Sequence, residues 1–157
     1  MNARAHGFTL VELVTVMILL GVLAAVAVPK LMSGGGVSST VFRAEVVSAL
    51  RYAQKAAVSH RRIVCATVSA SAVTLRIAST NPPPPGNPAL SCDTDLPSPD
   101  GTPYASRDAG VTAGGLLGTL YFRPDGTVVN AGGTVAGNIT ITSEAAVRID
   151  GLTGHVE

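Results

Sequence analysis

Glu12 stands near the start of an apolar run, Phe8 to Val28, that carries no other charge. A carboxylate at membrane depth costs on the order of 2.5–3.5 kcal/mol, so it normally has a partner or a task. One reading is a side chain that snorkels to the headgroups from the first turn, although glutamate has a short reach. The other is an ion pair with a cation that a neighbouring helix brings alongside in an assembly. Cys65 and Cys92 are the only cysteines. In an oxidising compartment they could close a loop of ~28 residues, stabilising by about 3.5 kcal/mol in the chain-entropy model. A metal pair or a redox site is the alternative, but there is no Cys-x-x-Cys and there are few histidines. Arg51, Lys55 and Arg62 fall together on one side of a helical repeat. A solvated face is the simpler reading, with His60, Arg61 and Arg62 complementing the helix C-terminal dipole; contact with phosphates is the other.

The elements that must hold these residues follow from hydrophobic period and chain breakers. As a helix, Phe8 to Val28 would cover about 30 Å, the thickness of a hydrocarbon core. Arg4 in the preceding Met1 to Gly7 stretch would keep that end cytoplasmic and send the rest outward. A secretory signal has a shorter apolar region ending at a small-residue cleavage site, and a buried core helix seldom runs this long. Pro29 lacks an amide hydrogen and crowds the preceding turn, so a kink is expected there. Ser33-Gly34-Gly35-Gly36 weakens helix and reads as a hinge over 32–36. It is no phosphate loop, which would need a Gly-Lys-Ser/Thr ending where Val37-Ser38-Ser39 stands.

From Ser38 to His60 helical periodicity returns, with Phe42, Val46, Ala49, Leu50, Ala53 and Ala57 on one stripe. Ile63–Ser69 and Ala72–Ala78 read as strands joined at Ser69-Ala70-Ser71. Ser79 to Gly115 is dense in proline and glycine and reads as a long surface loop without compact elements. Thr119–Arg123, a Pro124-Asp125-Gly126 turn and Thr127–Asn130 form a hairpin pattern, and Asn138–Thr142, Ala146–Asp150 and His155–Glu157 continue it. The expected fold is α+β: a long N-terminal membrane-spanning helix, then an amphipathic helix packed on an antiparallel sheet of roughly six strands.

Composition narrows the function. The 157 residues are 46% hydrophobic and only 13% charged, with a mean hydropathy of +0.40, so part of the chain is expected to lie outside water. A formal net charge of +1 argues against a dedicated nucleic-acid binder. Neither His60 nor His155 has a catalytic phrase around it, and His6 lies before the apolar run. Asp93, Asp95, Asp100 and Asp108 lack the regular ligand spacing of a calcium loop. No enzyme, cofactor or metal is therefore expected.

Gly7-Phe8-Thr9-Leu10-Val11-Glu12, followed by the apolar run and Pro29, resembles the prepilin motif of type IV pilins and type II secretion pseudopilins. The resemblance implies cleavage between Gly7 and Phe8 by a prepilin peptidase and N-methylation of the new Phe8 amine. Residues 1–7 would then be a leader, 8–31 the transmembrane and polymerisation helix, and 37–157 a periplasmic head. Glu12 would pair with the Phe8 amine of a neighbouring subunit, and Gly21 to Pro29 would be able to unwind locally in a filament. Removing the leader takes Arg4 away and leaves a formal side-chain charge of zero, which limits self-repulsion in a fibre. The head, with its Leu50-Arg51-Tyr52-Ala53-Gln54 and Tyr121-Phe122-Arg123-Pro124-Asp125-Gly126 phrases, is similar to GspH/FimT-type minor pilins and pseudopilins. Leu152-Thr153-Gly154-His155-Val156 is similar to minor pilins of mannose-sensitive-haemagglutinin-type pili. Partners implied are the peptidase/methyltransferase, other major and minor subunits, and an inner-membrane assembly platform. Some FimT-type relatives bind DNA through an Arg-rich tail, so a DNA-uptake tip is the alternative; His155-Val156-Glu157 holds no arginine.

Overall fold

The helix that begins after Thr9 starts on a side-chain cap. The Glu12 amide donates to Thr9 Oγ1 at 3.2 Å, and the Leu13 amide to the Thr9 carbonyl at 3.1 Å. In the computed structural model, which describes residues 9–32, 35–80 and 92–157, this helix is α1, Leu10–Met32. It continues through Pro29, so the proline does not end it; side chains of residues 26–35 lie outside the described set. The chain divides into two units, Met1–Gly34 and Gly35–Glu157.

In the second unit, α2 spans Gly35–His60. Gly35 and Gly36, read from sequence as part of a hinge, are its first helical residues; Ser33 and Gly34 lie outside the described residues. The helix-weakening glycines are steadied by the next turn. The hydroxyls of Ser39 and Thr40 sit 3.1 and 2.8 Å from the Gly36 carbonyl and 3.2 and 2.6 Å from Glu144 Oε1, which ties the first turn to a distant loop. At the other end Arg61 takes a left-handed φ of 54°. The Arg62 amide reaches the Ala57 carbonyl at 3.1 Å, closing the carbonyls the helix leaves open.

The apolar stripe of α2 is the floor of the core. Phe42, Val46, Ala49, Leu50, Ala53, Ala56 and Ala57 are all buried, and the alanines let the helix lie close on the strands. Ten strands follow among the described residues: β1 (Val64–Val68), β2 (Ala72–Ile77), β3 (Thr94–Asp95), β4 (Tyr104–Ala105), β5 (Ala113–Gly115), β6 (Gly118–Phe122), β7 (Val128–Asn130), β8 (Gly133–Thr134), β9 (Ala136–Ile141) and β10 (Val147–Asp150). They make two antiparallel sheets rather than a single sheet of six. The larger runs β3-β2-β1-β6-β7-β8 with β4 also beside β2; the smaller runs β10-β9-β5. Register places Ala66 opposite both Leu75 and Leu120, so β1 is central. Along β2, Val73, Leu75 and Ile77 face the core while Thr74 and Arg76 are exposed, as a period of two requires.

The Pro-rich segment also differs from expectation. Within 79–115 the described residues include β3, β4 and β5, and Leu96 and Tyr104 pack against the core while Val111 and Ala113 are buried. Main-chain bonds from Leu96 to Leu75, Ser106 to Ser71 and Ala113 to Ala70 stitch it to the β1–β2 hairpin and its edge. Prolines 97, 99 and 103 stand between these two- and three-residue strands and interrupt none of them.

Candidate functional site

Glu12 is held in the first turn of α1 by the Thr9 cap, where an anion complements the exposed amides of a helix start. Every described side chain from Thr9 to Ala25 is exposed, including Leu10 at 78% and Leu23 at 65%. Within its own unit the apolar run thus finds no cover among the described residues. Gly21 adds an open notch, with nothing within 4 Å of where a Cβ would stand. Gly7 and Phe8 lie outside the described residues, as does the side chain of Pro29.

Cys65 on β1 and Cys92 ahead of β3 are joined by a disulfide, with a Cα–Cα distance of 6.0 Å. The bridge fastens the entry to the loop strands to the central strand of the larger sheet. No group of three or more His, Cys, Asp or Glu side chains able to hold a metal occurs among the described residues.

The basic residues do not form the set their helical spacing suggested. Arg51 and Lys55 line an open trough of about 570 Å³ along the outer face of α2, together with Arg43. Arg62 lies beyond the helix, in the bend that follows the left-handed Arg61, so the end of the helix breaks the stripe. Arg43 was the residue missed; it stands eight positions before Arg51, which is the same face of a helix. Both arginines are anchored. Arg43 Nε donates to the Ala145 carbonyl at 2.8 Å and Arg51 Nε to the Val156 carbonyl at 3.0 Å. With Gln54 Nε2 donating to the Thr153 carbonyl at 3.0 Å, they fasten segment 145–156 along α2.

The loop carboxylates serve their own turns. Hydrogen bonds from the Ser98 and Thr102 hydroxyls lower the Asp100 pKa to about 2. The Ser79 hydroxyl and amide lower that of Asp93, and the Thr127 hydroxyl and amide that of Asp125. Asp95 pairs with Arg76 at 3.0 Å in an exposed position. Glu45 pairs with Arg107 at 3.3 Å, tying the loop to α2.

Comparison with known proteins fits these features. A family model described as the prokaryotic N-terminal methylation motif matches residues 2–28. No curated protein matches the chain. Among solved structures, the type IV minor pilin FimU of Pseudomonas aeruginosa strain PAO1 is similar, with 19% identity and a TM-score of 0.51 over 80% of this chain and 88% of that one. Among the described residues no helix is long and apolar enough to cross a membrane. The apolar run of the sequence, however, starts at Phe8 and ends at Val28, beyond the described side chains at both ends. The chain thus matches the prokaryotic N-terminal methylation motif over residues 2–28 and has a fold similar to that of the minor pilin FimU.

Proposed function

We propose that this chain is a minor pilin or pseudopilin, a non-catalytic subunit that helps initiate or cap a type IV pilus or a type II secretion pseudopilus. The observation that carries the reading is the pairing of a methylation motif at 2–28 with a helix whose described apolar side chains are all exposed, ahead of a separately packed head. Cleavage between Gly7 and Phe8 would free an amine at the helix start, and methylation would keep it cationic. Glu12, one turn into the helix, then offers that amine on an adjacent subunit a partner in a low-dielectric setting, where a charge-assisted bond is strong. Before assembly the apolar helix anchors the subunit in the inner membrane, with the head on the periplasmic side where the Cys65–Cys92 bridge persists. Processing requires a prepilin peptidase/methyltransferase, and assembly requires companion subunits and an inner-membrane platform.

The test is incorporation. Fibres sheared from cells carrying wild-type chain should contain it, and fibres from a Glu12→Ala strain should contain at least about tenfold less, as loss of one partner of a buried charge pair costs several kcal/mol. Equal incorporation of the variant would contradict the role given to Glu12. A wild-type chain that stays wholly in the membrane fraction beside assembled fibres would contradict the subunit reading itself.

A further inference from the structure

The trough on α2 has a preorganisation that a merely solvated basic face would not need. Arg43 and Arg51 each spend Nε–H on a backbone carbonyl, which fixes the guanidinium plane and leaves the Nη1/Nη2 end of the fork unused by those bonds. Among the described residues no carboxylate forms an ion pair with Arg43, Arg51 or Lys55. The three cations stand ~12 Å and then ~6 Å apart along the helix axis, at about 1.5 Å per residue. Between them lie Ala44, Val47 and Ser48, short side chains that let another backbone approach closely. Pro99 and Glu157 rise beside this face and give it walls.

We propose that this trough docks an acidic amphipathic helix of a partner protein, its carboxylates meeting the Arg43 and Arg51 forks and Lys55, its small apolar side chains lying over Ala44 and Val47. A helix fits because the cations are strung along about 18 Å of the α2 axis, with Ala44 and Val47 between them. A nucleic-acid strand fits less well. The apolar floor would strip water from its phosphates without replacing it, and half-buried Tyr52 offers little face for a base to stack on. Docking of this kind needs only the head, and it is independent of the pairing assigned to Glu12.

The full-length chain in detergent micelles can be titrated with a labelled helical peptide bearing glutamates at positions i, i+8 and i+12 and alanine or leucine between them. Its twin carries lysine at the three positions. At about 0.15 M salt, where exposed charges farther apart than ~8 Å are screened, the acidic peptide should bind and its twin should not. Lys55→Glu, which removes no hydrogen bond found in the head, should weaken binding about tenfold, in the range of one close charge pair. The R43E/R51E/K55E variant should prefer the lysine peptide. Equal affinity for the two peptides, no binding of either, or no effect of Lys55→Glu would overturn the proposal. So would duplex DNA or anionic phospholipid vesicles that bind through the same three residues and displace the acidic peptide.

Discussion

Two helices of similar length meet opposite fates in this chain. α1 has 23 residues and α2 has 26, yet α1 exposes every described side chain while α2 buries a complete stripe beneath the strands. The difference lies in where the apolar residues stand. In α2 they recur at helical spacing, with Arg51 and Lys55 turned outward, so one face suffices and the chain covers it. In α1 they occupy all sides, and no single packed face could cover them. Under the proposed function the cover of α1 would come from lipid or from other helices, and its one early carboxylate would find a counter-charge in the same place.

The sharpest way to break this comparison is to remove one large side chain from each helix. Phe42→Ala leaves a cavity under α2 and should cost the head about 3–5 kcal/mol. Leu19→Ala, in an exposed position, should leave the head's urea midpoint unmoved. A matching loss from both would mean that α1 belongs to the head's core. Next in size is the disulfide. Converting Cys65 and Cys92 to serine opens a bridge across a sequence separation of 27 and should destabilise the head by about 2–4 kcal/mol, read as a shift of the same midpoint.

Gly154→Ala tests how tightly segment 145–156 lies on α2. The residue has a φ of 67°, and a Cβ there would meet the Gly126 carbonyl and Gln54 Nε2. A loss of about 1–3 kcal/mol is expected, as for other insertions into a filled site. Thr40→Val removes one hydroxyl from the Gly36–Glu144 clamp and should cost about 1 kcal/mol, with faster amide exchange confined to the first turn of α2.

The smallest effect is a titration. Asp100 has its folded pKa lowered to about 2 by the Ser98 and Thr102 hydroxyls, so the stability it contributes is present above the ordinary carboxylate value. It is lost as pH falls from about 4 towards 2. Carboxyl chemical shifts should show the Asp100 midpoint below the ordinary aspartate value, and Ser98→Ala should raise it.

Much of the fold was legible in the residues, for reasons that the exceptions clarify. The stripe from Phe42 to Ala57, the β1–β2 hairpin and the Pro124-Asp125-Gly126 turn depend on neighbours close in sequence, and periodicity reports those. The strands β3 and β4 do not. Each is two residues long with a proline close by, and each is held by the edge of β2 and by the packing of Leu96 and Tyr104 on the core, which no local pattern announces. The start of α2 at Gly35 was hidden in the same way, because the group that steadies it, Glu144, lies more than a hundred residues downstream. Arg62 shows the converse. It kept helical spacing on paper, but the chain had already turned at Arg61.

If α1 is an assembly helix, the mature chain starts at Phe8. Intact-mass analysis of the chain recovered from membranes and from sheared fibres addresses this most directly. A mass lacking residues 1–7 and carrying one added methyl is the expected result; a product that retains Met1 to Gly7 in both fractions would contradict it.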